Sequence, residues 1–266
     1  MSEQPLLEIT DLRVTFDLEG RRLTAVDGAQ FSVARNETAV LAGESGSGKT
    51  ITALAISRLL PPNAAISSGS IRFNGHDILR MSQEELTGMR GKEIAYIFQE
   101  PVSFLNPVFT IGDQIAETIV LHQRVAPQQA RRQAAQLLEQ VRIPDPQRVL
   151  ASYPHQLSGG MNQRAFIAMS LACQPRLLVA DEPTTSLDVT IEREILDLLM
   201  ELKKSLGFSL LFITHNLAIA RKISDRVIIM FQGKVVDQGA TDTVFRCPRH
   251  HHTRELIQAY EKIGKL

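Results

Sequence analysis

The residues from Gly43 to Thr50 have the types and spacing of a loop that binds phosphate. Glycines let backbone N–H groups curl around an anion, and the start of the predicted helix that follows favours negative charge. By this spacing Lys49 would hold the β- and γ-phosphates of a nucleotide and Thr50 would bind Mg²⁺. A glycine turn without a ligand is the alternative, which the flanking apolar strand and helix disfavour. The predicted binding residues are Gly43, Glu44, Ser45, Gly46, Ser47, Gly48, Lys49 and Thr50.

A second run, Leu177–Glu182, is an apolar strand that ends in two carboxylates. A carboxylate at a strand end beside a phosphate loop suits a Mg²⁺ contact, so Asp181 is the predicted ligand. Glu182 is placed to polarise an attacking water. Asp-Glu before Pro183 could instead be a helix cap, but the presence of the phosphate loop favours the functional interpretation.

Two more polar residues each follow a predicted buried strand: Gln99 follows one and His215 another. With Gly43 and Asp181 they would lie at the carboxyl ends of parallel strands, where open α/β sheets bind ligands. Taken singly, Gln99 would be an ordinary loop amide, and His215 would be a histidine whose ring nitrogens are hydrogen-bonded within the fold. The four strand ends together favour one shared site.

A further glycine run opens a predicted helix at Ser158, Gly159 and Gly160. It offers a hydroxyl and free backbone N–H groups at a helix N-terminus, which is a second place for an anion. By local physics alone a capped helix after a glycine turn is the simpler interpretation.

The elements that must position these residues alternate short apolar runs with amphipathic segments, which is typical of a mostly parallel α/β sheet. The predicted buried strands are Ala39–Ala42, Ile94–Phe98, Leu177–Ala180, Leu210–Ile213 and Val227–Phe231. An antiparallel N-terminal layer is predicted from Leu7–Phe16 and Ala25–Val33, around the turn-prone Asp17–Arg22, and from Ser70–Phe73 with Asn74-Gly75.

Three helices are predicted from apolar residues at helical spacing, and we interpret each stripe as core-facing. The stripes are Ala130, Ala134, Leu137, Leu138 and Val141; Met161, Ala165, Ala168, Met169 and Ala172; and Ile191, Ile195, Leu198, Leu199, Leu202 and Leu206. We expect one nucleotide-binding domain over 1–266, with a core at about 5–100 and 155–245. A helical subdomain is expected at about 101–154 and a short polar tail at 246–266.

Composition excludes several classes of function. The 266 residues carry 29 basic and 29 acidic side chains, for a net charge of zero, and aromatics make up 5%. A neutral, aromatic-poor chain is a poor nucleic-acid binder, so no nucleic-acid partner is expected. The two cysteines, Cys173 and Cys247, fit a reducing compartment rather than a disulfide framework. We find neither a signal pattern nor an apolar run long enough to cross a bilayer.

Taken in order, the motifs resemble those of the nucleotide-binding subunits of ABC transporters. The matching segments are Gly43–Thr50, Gln99, the signature-like Leu157–Met161, Leu177–Glu182, Ser186-Leu187-Asp188 and His215. The resemblance spans about residues 7–245 and implies an α/β P-loop ATPase (RecA-like) core, with an N-terminal antiparallel β subdomain and an inserted α-helical subdomain. Ser186, Asn162 and Asn216 depart from the usual residues, without removing a charge that hydrolysis needs.

The resemblance implies that two such subunits sandwich two ATP molecules with Mg²⁺. Each ATP would lie between Lys49 with its loop on one subunit and Ser158, Gly159 and Gly160 on the other. Asp188 would communicate across the interface between the two subunits.

Single residues take their implied roles from the same resemblance. Glu182 would activate water, His215 would contact the γ-phosphate, and Gln99 would link the phosphate state to a membrane partner. Phe16 is similar in position to the aromatic residue that stacks on adenine, although a strand phenylalanine is usually core. The implied Mg²⁺ ligands are Thr50, Gln99 and Asp181.

A closer resemblance is to the peptide/nickel importer branch, and it rests on Phe98–Pro107, Asp181–Ile191 and His250–Leu256. The last segment is similar to a His-Pro-Tyr-Thr-Arg tail motif, with His251 and His252 at the Pro and Tyr places. A solvated tail turn is the favoured interpretation of His250–His252, and metal binding is the alternative. Because the chain ends at Leu266 with only Cys247 in this region, no iron–sulfur cluster is expected, and the short length favours nickel or metal-chelate cargo.

We therefore predict the ATP-hydrolysing subunit of an ABC importer for nickel, a metal chelate or oligopeptide. It would lie peripherally on the cytoplasmic face of the inner membrane. Its implied partners are a second, homologous but non-identical ATPase subunit, two transmembrane permease subunits and, indirectly, an extracytoplasmic solute-binding protein. The groove near Gln99–Gly112 would be the coupling surface. A soluble ABC ATPase, a non-catalytic scaffold, an exporter and a homodimer are the alternatives.

Overall fold

The structure is a computed structural model and describes residues 4–18, 20–185 and 187–263. The chain forms two compact units: Met1–Leu86 with Ser209–Leu266, and Thr87–Phe208. The first unit is therefore built from two segments that are distant in sequence, and the second is the continuous segment between them. This division differs from the subdomain expected at 101–154, whose bounds stay a prediction.

Strands and helices are numbered along the chain. The first unit contains β1 (Leu7–Leu18), β2 (Arg21–Val33), β3 (Thr38–Ala42), β4 (Ala64–Phe73), β5 (His76–Asp77), β8 (Ser209–Thr214), β9 (Arg226–Phe231) and β10 (Lys234–Ala240). Its helices are α1 (Lys49–Ile56), α9 (Leu217–Ile223), α10 (Thr241–Arg246) and α11 (His251–Ile263), with a 3₁₀ turn at Ile78–Arg80. The chain passes into the second unit within α2 (Gln83–Met89).

Two sheets organise the first unit. The N-terminal sheet is antiparallel with strand order β2-β1-β4-β5, which confirms the predicted N-terminal layer. In the other sheet β3 lies between β8 and β9 and is parallel to both, and β10 is antiparallel to β9. Every residue of β3 and β8 is buried, as expected for parallel strands covered on both faces. Sequence patterning missed β10 because Asp237 is its one fully buried residue.

The second unit contains a parallel strand pair among helices. Its strands are β6 (Ile94–Ile97) and β7 (Leu177–Asp181), both buried throughout. Its helices are α3 (Pro101–Phe104), α4 (Ile111–Gln123), α5 (Pro127–Gln140), α6 (Pro146–Leu150), α7 (Gly159–Leu171) and α8 (Val189–Leu206), with a 3₁₀ turn at Pro154–Gln156. All three predicted helices are present.

The predicted apolar stripe holds for α5 and for Ile195–Leu202 of α8, but Leu206 at the end of α8 is exposed, and the stripe of α7 is incomplete. In α7, Met161 and Met169 are only half-buried, whereas the polar residues Asn162 and Gln163 are buried. The helix is covered on several sides, so a single stripe could not describe its core contacts. The prediction assumed one solvent-facing side, which α7 lacks.

The expected solvated turn at His250–His252 is wrong. His251 instead begins α11, and His252 and Thr253 are only 6% and 0% exposed. Ile257 of α11 is buried and Tyr260 contacts Phe245 of α10 edge-on, so α11 has an apolar face against the rest of the unit. In the part of the chain that the structure describes, no helix combines the length and apolar character needed to cross a membrane.

Candidate functional site

The loop Gly43–Thr50 connects β3 to α1, and its backbone is enclosed by neighbouring strands. Gly43 has φ +153°, and a Cβ there would lie 2.2 Å from the carbonyl oxygen of Met230 in β9. Gly48 has φ +102°, and a Cβ there would lie 2.6 Å from the carbonyl oxygen of Ala25 in β2. Both positions therefore require glycine for space as well as for backbone conformation.

The side chains inside this loop are arranged as a phosphate site needs. The Lys49 ammonium is buried and donates to the carbonyl oxygens of Gly43 and Glu44, at 2.9 and 2.8 Å. Ser47 is 4% exposed, and its hydroxyl has no hydrogen-bond partner among the described residues. Because buried hydroxyls are normally paired, the Ser47 hydroxyl fits a phosphate oxygen as its hydrogen-bond partner.

The first turn of α1 supplies further donors. Its N-cap is Gly48, which has no side chain to cap the free backbone N–H groups of the helix start. Those groups and the positive end of the helix dipole fit an anionic phosphate. Thr50 is exposed on this turn, so its hydroxyl is available to a Mg²⁺ ion, which prefers oxygen ligands.

Two predicted residues of the first unit follow neighbouring strand ends. In the parallel pair β3–β8, Ala42 lies opposite Thr214, so Gly43 and His215 emerge side by side. The next residue, Asn216, caps α9 by accepting from the Ala218 N–H at 2.9 Å. Its own N–H donates to the Thr214 hydroxyl at 2.9 Å, so the backbone around His215 is held on both sides.

The second unit brings together the other two strand ends. In β6–β7, Ile97 lies opposite Ala180, so Gln99 and the pair Asp181 and Glu182 follow the same edge. Gln99 is exposed and Asp181 is 7% exposed.

Glu182 adopts a backbone conformation that is rare for its residue type. Its φ is +45°, and its carboxylate accepts from the Thr185 hydroxyl at 2.9 Å. Holding a non-glycine residue there costs about 1–3 kcal/mol, and such strain clusters at functional sites. The catalytic role of Glu182 stays a prediction.

The signature-like run begins α7 on the surface. Ser158 is the N-cap, and its hydroxyl accepts from the Met161 N–H at 3.3 Å. Ser158 and Gly159 are exposed, and a Cβ on Gly159 would meet nothing within 4 Å. A Cβ on Gly160 would lie 3.2 Å from Ile191 of α8. The exposed hydroxyl and open glycine leave this helix start accessible from outside the chain.

Sequence analysis missed the role of Asn162. Its side chain is 3% exposed, and its amide donates to the carbonyl oxygens of Pro154 and Leu157, at 3.0 and 3.4 Å. The residue therefore anchors the loop before Ser158 and does not reach outward. The sequence shows a polar residue in the first turn of a glycine-opened helix, but its burial is not readable from the sequence.

The remaining predicted residues differ in where they lie in the fold. Asp188 is the N-cap of α8, with its carboxylate accepting from the N–H groups of Thr190 and Ile191 at 3.1 and 3.0 Å. Phe16 lies half-buried on β1. Ser186 lies outside the described residues. The functional roles of Asp188 and Phe16 stay predictions.

Comparison with known sequences identifies relatives along the whole chain. Residues 26–185 match the sequence profile described as ABC transporter. The glutathione import ATP-binding protein GsiA of Shigella dysenteriae is 44% identical over 267 residues, which are 98% of this chain and 43% of GsiA. A putative peptide import ATP-binding protein of Brucella melitensis is 45% identical over 270 residues, which are 99% of this chain and 80% of that protein. The chain thus spans less than half the length of GsiA.

A solved structure supports the same assignment. The dimeric ATP-binding cassette MJ0796, in a post-hydrolysis state bound to ADP and Pi, aligns with a TM-score of 0.79 and 25% identity. The alignment covers 88% of this chain and 98% of that one. The predicted α/β P-loop ATPase fold and the resemblance to the peptide/nickel importer branch are confirmed. The chain belongs to the ABC transporter family, as one of its ATP-binding cassettes of the ATPase class.

Proposed function

We propose that this chain is the ATP-hydrolysing subunit of an ABC importer whose cargo is a peptide or peptide-like molecule. The observation that carries the proposal is the enclosed phosphate loop, with its buried Lys49 ammonium and unpaired buried Ser47 hydroxyl. The relatives that carry import and peptide in their names support the cargo class.

The phosphates of ATP would be held by the backbone and side chains of Gly43–Thr50. We propose Thr50, Asp181 and Gln99 as Mg²⁺ ligands because each carries an oxygen donor of the hard kind that Mg²⁺ prefers, and the ion would neutralise charge on the phosphate oxygens. The adenine would stack on Phe16, whose ring is half-buried.

Hydrolysis would use Glu182 and His215. In this scheme Glu182 accepts a proton from the attacking water as the water oxygen bonds to the γ-phosphorus. The bond from the γ-phosphorus to the bridging oxygen breaks, and ADP leaves with the electron pair. His215 would donate a hydrogen bond to a γ-phosphate oxygen, where charge is distributed in the transition state.

A second ATPase subunit would complete each site. Ser158 and Gly159 are exposed and open, as a surface that receives the partner's nucleotide requires. Asp188 caps α8 near the same run and would transmit the state of one site to the other. We propose a homologous, non-identical partner, as the branch implies.

The membrane partner would dock on the segment that follows Gln99. Phe104, Val108 and Phe109 there are 53, 71 and 50% exposed, and exposed apolar side chains grouped in this way mark interaction surfaces. Phe104 stacks on Phe98 with ring centroids 4.0 Å apart. A partner pressing on Phe104 would therefore act on the residue next to Gln99.

A buried amide shapes this exposed segment. Gln114 accepts from the Asn106 N–H at 2.8 Å and donates to the carbonyl oxygens of Asn106 and Phe109, at 3.0 and 3.1 Å. These bonds hold the apolar side chains outward instead of letting them fold onto α4. In this proposal the partners are two permease subunits at the cytoplasmic face of the membrane, and the solute-binding protein acts outside without touching this chain.

The cargo is best tested by uptake in cells that lack only this gene. Labelled glutathione, a labelled dipeptide and radiolabelled nickel would be compared after complementation with the wild type, Lys49→Ala or Glu182→Gln. We expect loss of peptide-class uptake, restored by the wild type alone. Glu182→Gln should also reduce hydrolysis by the purified complex by about 10²–10⁴-fold. Loss of nickel uptake alone would overturn the cargo assignment, and intact uptake of all three would overturn the import proposal.

The docking surface is tested by Phe109→Asp. This substitution should abolish uptake while nucleotide binding by the purified chain stays unchanged. Leu121→Asp, at a residue of α4 that is 66% exposed, is the matched control and should retain uptake. Retained uptake in Phe109→Asp would refute the proposed surface.

A further inference from the structure

The C-terminal helix α11 contacts the end of β9 through a pair of stacked rings. The imidazole of His252 lies on the ring of Phe231, with centroids 3.8 Å apart and planes inclined by 26°. His252 is 6% exposed, and its backbone N–H donates to Nδ1 of His250 at 3.2 Å. The start of α11 is further held by Asp237, whose carboxylate accepts from the backbone N–H of Arg249 at 2.7 Å.

Phe231 flanks the tight turn between β9 and β10. Phe231 and Lys234 are paired across the hairpin, so the loop consists of Gln232 and Gly233. Both loop residues have positive φ, +48° and +79°, as a type I′ turn requires. Glycine adopts this conformation freely but glutamine does not, so the turn depends on its surroundings to keep its shape.

This turn is bonded directly to the phosphate loop. The Gly233 N–H donates to the carbonyl oxygen of Ser47 at 3.0 Å, and the Gly233 carbonyl accepts from the Asp27 N–H at 2.8 Å. Just before the turn, the carbonyl oxygen of Met230 occupies the space where a side chain on Gly43 would lie. The end of β9 and its turn therefore form a wall of the phosphate loop.

From this chain of contacts we infer that His252 is a positioning residue for the phosphate loop. Its ring fixes Phe231, Phe231 fixes the 232–233 turn, and the turn fixes the carbonyl group of Ser47. The helix α11 thus sets how well the loop fits the phosphates of a nucleotide. The inference rests on the proposed function in that it takes ATP as the ligand of this loop.

His252 contacts Phe231 through the face of its imidazole ring. Nε2 of His252 is buried without a hydrogen-bond partner among the described residues, so no polar contact through that atom holds the ring. A flat hydrocarbon ring in the same place would keep the stacking and remove an unsatisfied polar atom. Phenylalanine at position 252 should therefore preserve the contact with Phe231, and alanine should lose it.

The test measures binding of mant-ATP, a fluorescent ATP analogue, to the full chain. His252→Ala should raise the Kd about five- to tenfold, the size of effect expected when a well-packed ring contact that orders the site is lost. His252→Phe should stay within about twofold of the wild type. The matched control is His251→Ala, which removes the neighbouring imidazole, whose side chain is 73% exposed, and should leave the Kd unchanged.

Hydrogen exchange distinguishes a positioning role from a merely stabilising contact, because a positioning role predicts faster exchange only around the phosphate loop and the 232–233 turn. In His252→Ala, amides at 43–50 and 231–234 should exchange faster, while those of β1 and β4 keep their wild-type rates. If His252→Ala does not fold, Phe231→Leu replaces it and should weaken mant-ATP binding similarly. In a folded variant that carries both His252→Ala and Phe231→Leu, the Kd should rise no further than in either single variant, because both substitutions remove the same ring contact.

The outcomes separate this inference from the proposed function. Wild-type binding of mant-ATP that Lys49→Ala abolishes supports the nucleotide site whatever His252 does. If the wild type binds and His252→Ala or Phe231→Leu binds equally well, the positioning role is refuted and the proposed function stands. The positioning role also fails if His252→Phe is as weak as His252→Ala. If the wild type does not bind, both fail.

Discussion

The phosphate loop and the signature-like run are both glycine-rich helix starts, yet their surroundings differ. Around Gly43–Thr50, backbone from β2 and β9 leaves no room for side chains at two glycines, and Ser47 and Lys49 are buried. Ser158 and Gly159 are both exposed, and a Cβ on Gly159 would meet no atom of the described residues within 4 Å. The first region is enclosed by its own chain, whereas the second lies open at the surface, where we propose that a second subunit completes it.

The sharpest test of this contrast compares nucleotide binding with hydrolysis. Lys49→Ala should lower the affinity of the isolated chain for mant-ATP by at least about 100-fold, because a buried ammonium that would meet the phosphates is removed. Ser158→Arg should leave that affinity unchanged but abolish hydrolysis by the assembled transporter. Weakened binding in Ser158→Arg would show that the signature-like run already contributes within one chain.

The glycines themselves should respond differently to a methyl group. Gly43→Ala forces a contact of 2.2 Å with a backbone oxygen at φ +153°, so we expect a loss of more than about 3 kcal/mol in the free energy of unfolding. Gly159→Ala meets open space in a helix and should be neutral or stabilising by up to about 0.5 kcal/mol. Chemical denaturation measures both, and equal effects would contradict the contrast.

The signature-like run should depend on one internal anchor. Asn162→Ala removes both amide bonds to Pro154 and Leu157 and leaves two carbonyl oxygens without that donor, at a cost of about 1–2 kcal/mol in stability. Hydrolysis in the assembled transporter should fall while mant-ATP binding by the isolated chain persists. Asn162→Asp is a second disruptive variant, because it keeps the size of the side chain but loses both donor bonds, and it should lower hydrolysis as well. Full hydrolysis in both variants would show that the anchor is dispensable.

A smaller effect should appear with pH in the second unit. Burial, with a contribution from Lys92, lowers the pKa of His122 from its ordinary value near 6.5. The unfolded chain therefore binds more protons below that value, and stability should fall as pH drops through 6.5 towards the lowered folded pKa. His122 is only half-buried, so the loss should stay below about 0.5 kcal/mol. His122→Asn should remove this part of the pH dependence between pH 7 and 5, and an unchanged profile would exclude His122 as its source.

Sequence reasoning succeeded where burial and residue type agree. The apolar runs predicted as strands in β3, β8 and β9 are buried, as strands covered on both faces are, and the motif residues Gly43 and His215 directly follow β3 and β8. It failed where polar residues are buried. Asp237 in β10, Asn162 in α7 and His252 in α11 take their places from tertiary hydrogen bonds or ring contacts that no local pattern encodes.

Part of the site could not have been found from spacing. The motif identified Gly43–Thr50, but the wall formed by Met230 and Gly233 lies more than 180 residues later in the chain. The only local sign was the Gln232-Gly233 pair directly after the predicted strand Val227–Phe231. Contacts of such sequence separation become visible only when the strand order is known.

The two-segment construction of the first unit has a consequence for synthesis on the ribosome. The strand β3, which leads into the phosphate loop, lies between β8 and β9, and both are translated only after the whole second unit. The continuous segment Thr87–Phe208 can begin to fold while β3 still lacks both neighbours. A nascent chain stalled before Ser209 would therefore carry the complete Gly43–Thr50 motif without a formed nucleotide pocket, and the ability to bind nucleotide would arise only after β8 and β9 have been translated.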